Sequence, residues 1–571
     1  ITGIGFIDRK LIGGDSKLMP EYLKGAGRNV FYCLPLLLGL IGLFWQFGKG
    51  KTGTRQFFVV LSLFFMTGLA IVVYLNQTPL QPRERDYAYA ASFYAFAIWI
   101  GLGVTAISDG LRKVVGEKAA PLLAFLICLF VPIQMVSQTW DDHDRSGRYT
   151  CRDFGQNYLT TLPEKGNPII FTNGDNDTFP LWYNLETEGF RTDTRVCNLS
   201  YLMTDWYIDQ MKRPAYDSKA IPISFERIEY QSGTNEVVSI DPQRKYNSLK
   251  QARSEAEREW IYQEFELRNI LDNYVKKGKP IPTDSIWLKI DKDAVLRSGM
   301  MIPKEYRGET DEETKAKMPD KMIISLVGKS NLMKNELMML DMLYQCNWER
   351  PLFMATTVQS DNHLNLGNYF VLEGLAYRIT PFDWSKLGYV DENSGAVLDS
   401  EKMYENLMKF KFGGLANAGV YLDETNRRMI WTHRKIYIQL AGQLINEGQN
   451  EKALEVLDFI EENLPYNTIP YHFYRLSTET TAANMYLFLN QPEKALPILT
   501  DITAENLMEM RWYLSMDNRR LKLSSDSFEK AATILYSYTL PQLEKIVDEE
   551  TFSQTVALFD EMYVEYQNRI N

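Results

Sequence analysis

Four stretches of the chain run for 19 residues or more without a Lys, Arg, Asp or Glu: Val30–Gly48, Gln56–Pro82, Tyr87–Ser108 and Ala119–Trp140. A bilayer core of about 30 Å takes roughly 20 apolar residues as helix, so the pattern predicts four transmembrane helices within residues 29–140 and a lipid bilayer as partner. The second stretch, FFVVLSLFFMTGLAIVVYL, is apolar on every face and leaves no side for water. The third is softer, with Ala, Tyr and Gly, and suits packing against other helices. The segments 49–55 and 109–118 are rich in Lys and Arg, which predicts that both are cytoplasmic. Residues 1–28 and everything after Trp140 then lie on the outer side. The chain starts at Ile1, with no signal peptide ahead of the spans, and reads as a fragment that begins in the middle of a larger membrane protein.

After the polar exit DDHDRSGR the period changes. Pro168–Thr172 (PIIFT) predicts a buried strand, with a turn at Asn173–Asp177, a helix from Thr178 and a second strand at Arg195–Leu199. Strand, helix, strand at that spacing is a βαβ unit with parallel strands. A second unit is expected from Met322–Val327, a helix over 331–344 and the strand Pro351–Thr356. The polar stretch 215–320, with an exposed helix over Lys250–Lys276, reads as an insertion in this α/β domain, which spans 141–412. From 413 to 571 the chain reads as helix after helix. Gln449-Asn450-Glu451-Lys452-Ala453-Leu454 recurs as Gln491-Pro492-Glu493-Lys494-Ala495-Leu496, 42 residues on. This repeat predicts tetratricopeptide-like helical hairpins.

Ligands of open parallel sheets sit beyond the carboxyl ends of the strands. The residues expected there are Asn173, Asp175 and Asp177 after the first strand, Lys329 and Ser330 after MIISLV, and Asp361 and His363 after PLFMAT. Asp175-x-Asp177 is the acidic pair that many sugar transferases use to hold Mg²⁺ or Mn²⁺, since hard cations take carboxylate oxygens. The plainer reading of the same residues is a turn and a helix N-cap. Gly328-Lys329-Ser330 resembles the end of a P-loop, but Ile323 stands where the earlier Gly is required. An anion at a helix start there is the reading that survives.

Charge sharpens the division. Residues 1–140 carry a net +6 and leave −17 on the rest of the 571-residue chain. So acidic a remainder excludes a nucleic-acid partner, which wants basic surface. There is no GxSxG, HExxH or CxxC. The four His, at 143, 363, 433 and 472, are too scattered in sequence to suggest zinc.

Several long stretches resemble a Bacteroidetes family of multi-span membrane proteins of unknown function. They are YLNQTPLQPRERDYAYAASFYAFAIWIGLG, TNGDNDTFPLWY at 172–183, VGKSNLMKNELMMLDML at 327–343, NWERPLFMATT at 347–357 and YFVLEGLAYRITP at 369–381. That family is related to protein O-mannosyltransferase-like, type-C glycosyltransferases, which take sugar from a polyprenyl-phosphate donor at the outer membrane face. The resemblance implies a C-terminal portion without the first outer loop, where type-C transferases carry their catalytic acid, so no catalytic residue is assigned. It implies an inner-membrane protein whose C-terminal region lies in the periplasm, with a protein or glycan acceptor. In that frame Arg83 and Arg85 are the donor-phosphate candidates, because arginine presents a planar fork to phosphate. Pairing with Glu84 and Asp86, or snorkelling at the interface, is the structural reading of the same arginines. A non-catalytic, membrane-anchored binding or scaffold module in envelope assembly is the alternative function.

Overall fold

The structure is a computed structural model and describes residues 5–15, 17–20, 29–77, 85–390, 396–417, 420–464 and 479–570. By its internal packing the chain divides into one unit of residues 1–146 with 499–571 and a second of residues 147–498.

Among the described residues of the first unit, three apolar helical spans are long enough to cross a membrane: Gly50–Leu75, Asp86–Val115 and Ala120–His143. Their regular helices are α2 (Gly50–Thr67) continuing into α3 (Leu69–Leu75), α4 (Ala90–Val115) and α5 (Ala120–His143). The expected first span is shorter. The helix α1 covers only Leu34–Phe47, 14 residues, or about 21 Å at 1.5 Å per residue. Tyr32 and Cys33 ahead of it adopt left-handed backbone conformations that a continuing helix does not allow. The basic segment 49–55 forms the start of α2 rather than a loop. Lys49 pairs with Asp109 at 2.8 Å, so the segments expected to be cytoplasmic share one end of the bundle. α1 and α4 cross closely at glycine. A Cβ on Gly42 would sit 1.9 Å from the Trp99 carbonyl oxygen, and one on Gly103 would sit 2.2 Å from that of Leu38. Beside this crossing the Trp99 indole donates to Gln46 Oε1 at 2.8 Å, which satisfies a buried polar pair among apolar helices. Elsewhere in this unit Phe528 stacks on Tyr566 with centroids 4.0 Å apart, in a core that also takes in Met19 and Met510.

The second unit is built on a six-stranded mixed sheet. β1 (Ile169–Thr172) and β2 (Arg195–Asn198) pair in parallel, as the pattern predicts, with Ile169 opposite Arg195, through the crossover helix α7 (Asp175–Glu186), which starts three residues before the expected Thr178 and takes in Asp175 and Asp177. The helix α6 (Thr150–Thr161) packs on α7. All four β1 residues are buried, as a strand covered on both faces requires.

The second expected βαβ unit does not form. β4 (Ser285–Lys289) and β5 (Lys321–Ser325) make a separate antiparallel ribbon, and β3 (Val237–Ser239) pairs with β6 (Asn331–Met333) in another. The reason is one-sided burial: Met322 and Ile324 are buried, whereas Ile323 between them is 47% exposed. A central parallel strand has no such face. α9 (Lys334–Cys346) then leads into β7 (Leu352–Ala355), which does enter the main sheet parallel to β1. β8 (Phe370–Leu372), β9 (Ala376–Ile379) and β10 (Val397–Leu398) complete the order β10-β8-β9-β7-β1-β2, with β9 antiparallel to both its neighbours.

The expected exposed helix over Lys250–Lys276 is broken. Helices cover Gln243–Gln251 and Glu255–Gln263, and Ser254 caps the second by accepting from the Glu257 amide. From Leu267 to Val275 the apolar residues fall at helical spacing and are buried. The repeat of 42 residues is borne out as helical hairpins. α11 (Glu424–Asn446) turns into α12 (Asn450–Asn463), and α13 (Glu479–Phe488) into α14 (Pro492–Leu514). Ala453 and Ala495, equivalent in the two copies, are both fully buried. α10 (Ser400–Leu407) and α6 pack against α11.

Candidate functional site

Three parallel strands end together. β1 ends at Thr172, β2 at Asn198 and β7 at Ala355, and the polar residues just beyond them form one network. At its centre is Asp177, the third residue of α7 and 4% exposed. Its carboxylate accepts from the amides of Gly174 (2.9 Å) and Asn173 (3.3 Å) and from the Thr357 hydroxyl (2.9 Å). Burial raises its pKa, and these hydrogen bonds pull in the opposite direction. Beside it the Thr172 and Thr178 hydroxyls meet at 2.8 Å, and Asn198 Nδ2 donates to Thr178 Oγ1 at the same distance. Ser200 Oγ donates to Asn173 Oδ1 at 2.8 Å. On the β7 side the buried Tyr158 hydroxyl of α6 lies 2.9 Å from Thr356 Oγ1.

Of the residues expected at the strand ends, Asn173 and Asp177 meet here. Asp175 opens α7 and is exposed. Residues two apart on a helix point about 200° apart, so Asp175 and Asp177 do not face a common point. Among the described residues no group of three or more His, Cys, Asp or Glu is placed to hold a metal ion.

The others lie toward the β5 ribbon. Lys329 and Ser330 sit in the turn between β5 and β6, one short strand ahead of α9 rather than at a helix start. Lys329 pairs with Glu336 at 2.7 Å. Asp361 lies in the single turn Ser360–Asn362. His363 donates through Nε2 to the Val358 carbonyl at 2.9 Å and sets its ring edge-on to Phe370. Burial holds its pKa below the ordinary histidine value. Asn365 ties this loop to the Ser325 carbonyl of β5. Of the donor-phosphate candidates, Arg83 lies outside the described residues, and Arg85 is exposed just ahead of the turn Asp86–Tyr89.

Thr178, Asn198, Ser200, Thr356 and Thr357 were missed by the sequence reading. A usable signal was present: Asn198, Ser200, Thr356 and Thr357 are polar residues at, or within two positions after, the end of an apolar strand, and Thr178 lies in the first turn of the helix that follows β1.

Neither the curated proteins nor the solved structures contain a match to this chain. Residues 151–400, which hold the strand-end network and the ten strands of the described residues, match the family model described as TMEM260-associated domain 2. The chain is thus a multi-pass membrane protein in which a TMEM260-associated domain follows apolar helices, and TMEM260 is related to O-mannosyltransferase-like proteins.

Proposed function

We propose that the chain is the C-terminal part of a membrane-embedded, glycosyltransferase-like protein that draws sugar from a polyprenyl-phosphate donor and glycosylates a periplasmic protein or glycan acceptor. The observation that carries this reading is the TMEM260-associated domain at residues 151–400 after apolar helices. In this reading the protein sits in the bacterial inner membrane with its C-terminal region in the periplasm. Arg83 and Arg85 hold the donor phosphate, and the α/β unit grips the acceptor. Asp177 has its carboxylate engaged by two amides and a hydroxyl, which suits recognition and support better than proton transfer.

The second reading is a non-catalytic scaffold, favoured by the helical hairpin α11–α12 packing on the α/β domain through α10 and α6. One experiment separates the two. Membrane vesicles holding the full-length protein are given radiolabelled polyprenyl-phosphate sugars and a panel of acceptors. Transfer supports the enzyme, and its absence across the panel overturns that reading in favour of the scaffold. The pair Arg83→Lys/Arg85→Lys is expected to lose transfer at normal expression, because lysine keeps the charge and lacks the planar fork.

A further inference from the structure

β2 is an edge strand of the main sheet, yet its outer edge is covered. The helix α8 (Asp205–Met211) lays Tyr207 along it. The Tyr207 hydroxyl accepts from the Asn198 amide at 3.0 Å and donates to the Val196 carbonyl at 3.3 Å. Between α7, α8 and this edge lies a cleft of about 430 Å³, inside the range of roughly 300–1,000 Å³ common to small-molecule sites.

The walls of the cleft are aromatic. Trp182 and Tyr201 stack at 5.9 Å and 14°, Trp206 stands 6.0 Å from Tyr201 and is 54% exposed, and Tyr216 also lines it. Arg195, the first residue of β2, lines the same cleft and is only 6% exposed. Its Nη2 donates to the carbonyls of Gln210 and Arg213 at 2.9 and 3.0 Å. Its Nε and Nη1 are buried and have no hydrogen-bond acceptor among the described residues. Among the described residues no carboxylate lies within ion-pair distance of it. Glu186, on the same wall, accepts from the Tyr216 hydroxyl. A buried cation with idle donors is costly unless an anion or acceptor answers it.

We propose that this cleft binds a sugar ring bearing a carboxylate or phosphate. The anion is held at Arg195, and the apolar C–H face of the ring lies on the exposed indole of Trp206. Aromatic residues suit such a ligand because they offer a flat apolar face while polar tips stay wet. Arginine is suited to either anion. That the ring is a sugar rests on the glycosyltransferase-like reading; the aromatic walls and the two idle donors of Arg195 do not depend on it.

The test is calorimetric titration of the full chain in detergent with glucuronate, glucose 6-phosphate, glucose and inorganic phosphate. At least one acidic sugar should bind about tenfold or more tightly than glucose, a margin of about 1.4 kcal/mol. Which acidic sugar binds better tells whether carboxylate or phosphate is the natural anion. Trp206→Ala, at an exposed position that leaves the core intact, should weaken acidic-sugar binding about tenfold. Arg195→Lys should weaken it as well, since it keeps the charge and loses the fork. Equal affinity for acidic sugars and glucose would overturn the proposal, as would the absence of acidic-sugar binding. Phosphate binding as tightly as glucose 6-phosphate, with Trp206→Ala without effect, would reduce the cleft to a bare anion site and overturn it too. Binding is read here without transfer, so a failure leaves the transferase reading standing, and a failure of transfer leaves this result standing.

Discussion

The segments 169–198 and 321–355 have the same hydrophobic outline: a short apolar strand, a helix of 12 or 13 residues, and a second apolar strand. The first folds as a parallel βαβ unit and closes a polar network at its strand ends. The second splits, with β5 in an antiparallel ribbon and only β7 reaching the main sheet. What separates them is how many faces are covered. β1 is buried at all four positions, whereas β5 alternates, with Lys321, Ile323 and Ser325 exposed. An apolar run of four to six residues is therefore weak evidence for a central strand unless its flanks are apolar too. Lys321 and Ser325 were the signs that β5 has a wet side.

Substitutions can press on this contrast. The largest effect is expected from Phe171→Ala in β1, between β7 and β2, where the side chain is fully buried. It should cost about 3–5 kcal/mol, read as loss of amide-exchange protection across residues 147–498 in the detergent-solubilised chain.

A comparable effect is expected from pH on the helices that back the parallel unit. Asn157 of α6 donates to Nε2 of His433 at 3.1 Å, and His433 is 2% exposed. Burial pulls its pKa down to about 4. Between about 6.5 and 4 the unfolded chain binds a proton there that the folded chain refuses. Stability therefore rises with pH through that window and falls, by roughly 3 kcal/mol, as pH drops across it. Asp153, also on α6, has its pKa raised by burial and works in the opposite sense. The difference between the unmodified chain and His433→Gln isolates the histidine, and that variant should lose the rise of stability with pH across this window.

Asp177→Ala removes the side chain that answers the Asn173 and Gly174 amides just ahead of α7 and should cost about 0.5–2 kcal/mol in thermal unfolding. Titration with Mn²⁺ before and after Asp175→Asn/Asp177→Asn separates a cap from a metal ligand. A cap leaves the heats unchanged, and a ligand pair loses them. The smallest effect belongs to β5: Ile323→Ala, on the exposed face of the ribbon, should change stability by less than about 1 kcal/mol. A cost like that of Phe171→Ala would mean that β5 is covered on both faces after all.

Long-range order along the chain was legible where composition was extreme or a pattern repeated. The apolar helices, the first βαβ unit and the hairpins at a spacing of 42 residues were all readable. Strand partners were not, because pairing depends on what covers each face, and MIISLV does not state that. The broken helix near Ala252 was masked by strong charge, and Ser254 followed by Glu257 was its overlooked cap signal. Of the site, Asn173 and Asp177 were legible because a Gly-Asp turn follows a buried strand. Thr357 and Asn198 were not, because their importance comes from two other strands ending beside Asp177.

We propose that the α/β unit grips the acceptor at the strand ends around Asp177 rather than at the turn after β5. The most direct measurement compares two double variants of the full-length protein in the vesicle transfer assay, each at matched expression. Asp177→Asn/Thr357→Val should lower transfer about tenfold or more, since it undoes the network that sets the three strand ends. Lys329→Ala/Ser330→Ala, in the turn after β5, should leave transfer within about twofold, because neither residue bonds to the Asp177 network. The reverse ranking, with the β5 turn essential and the Asp177 network dispensable, would contradict the account.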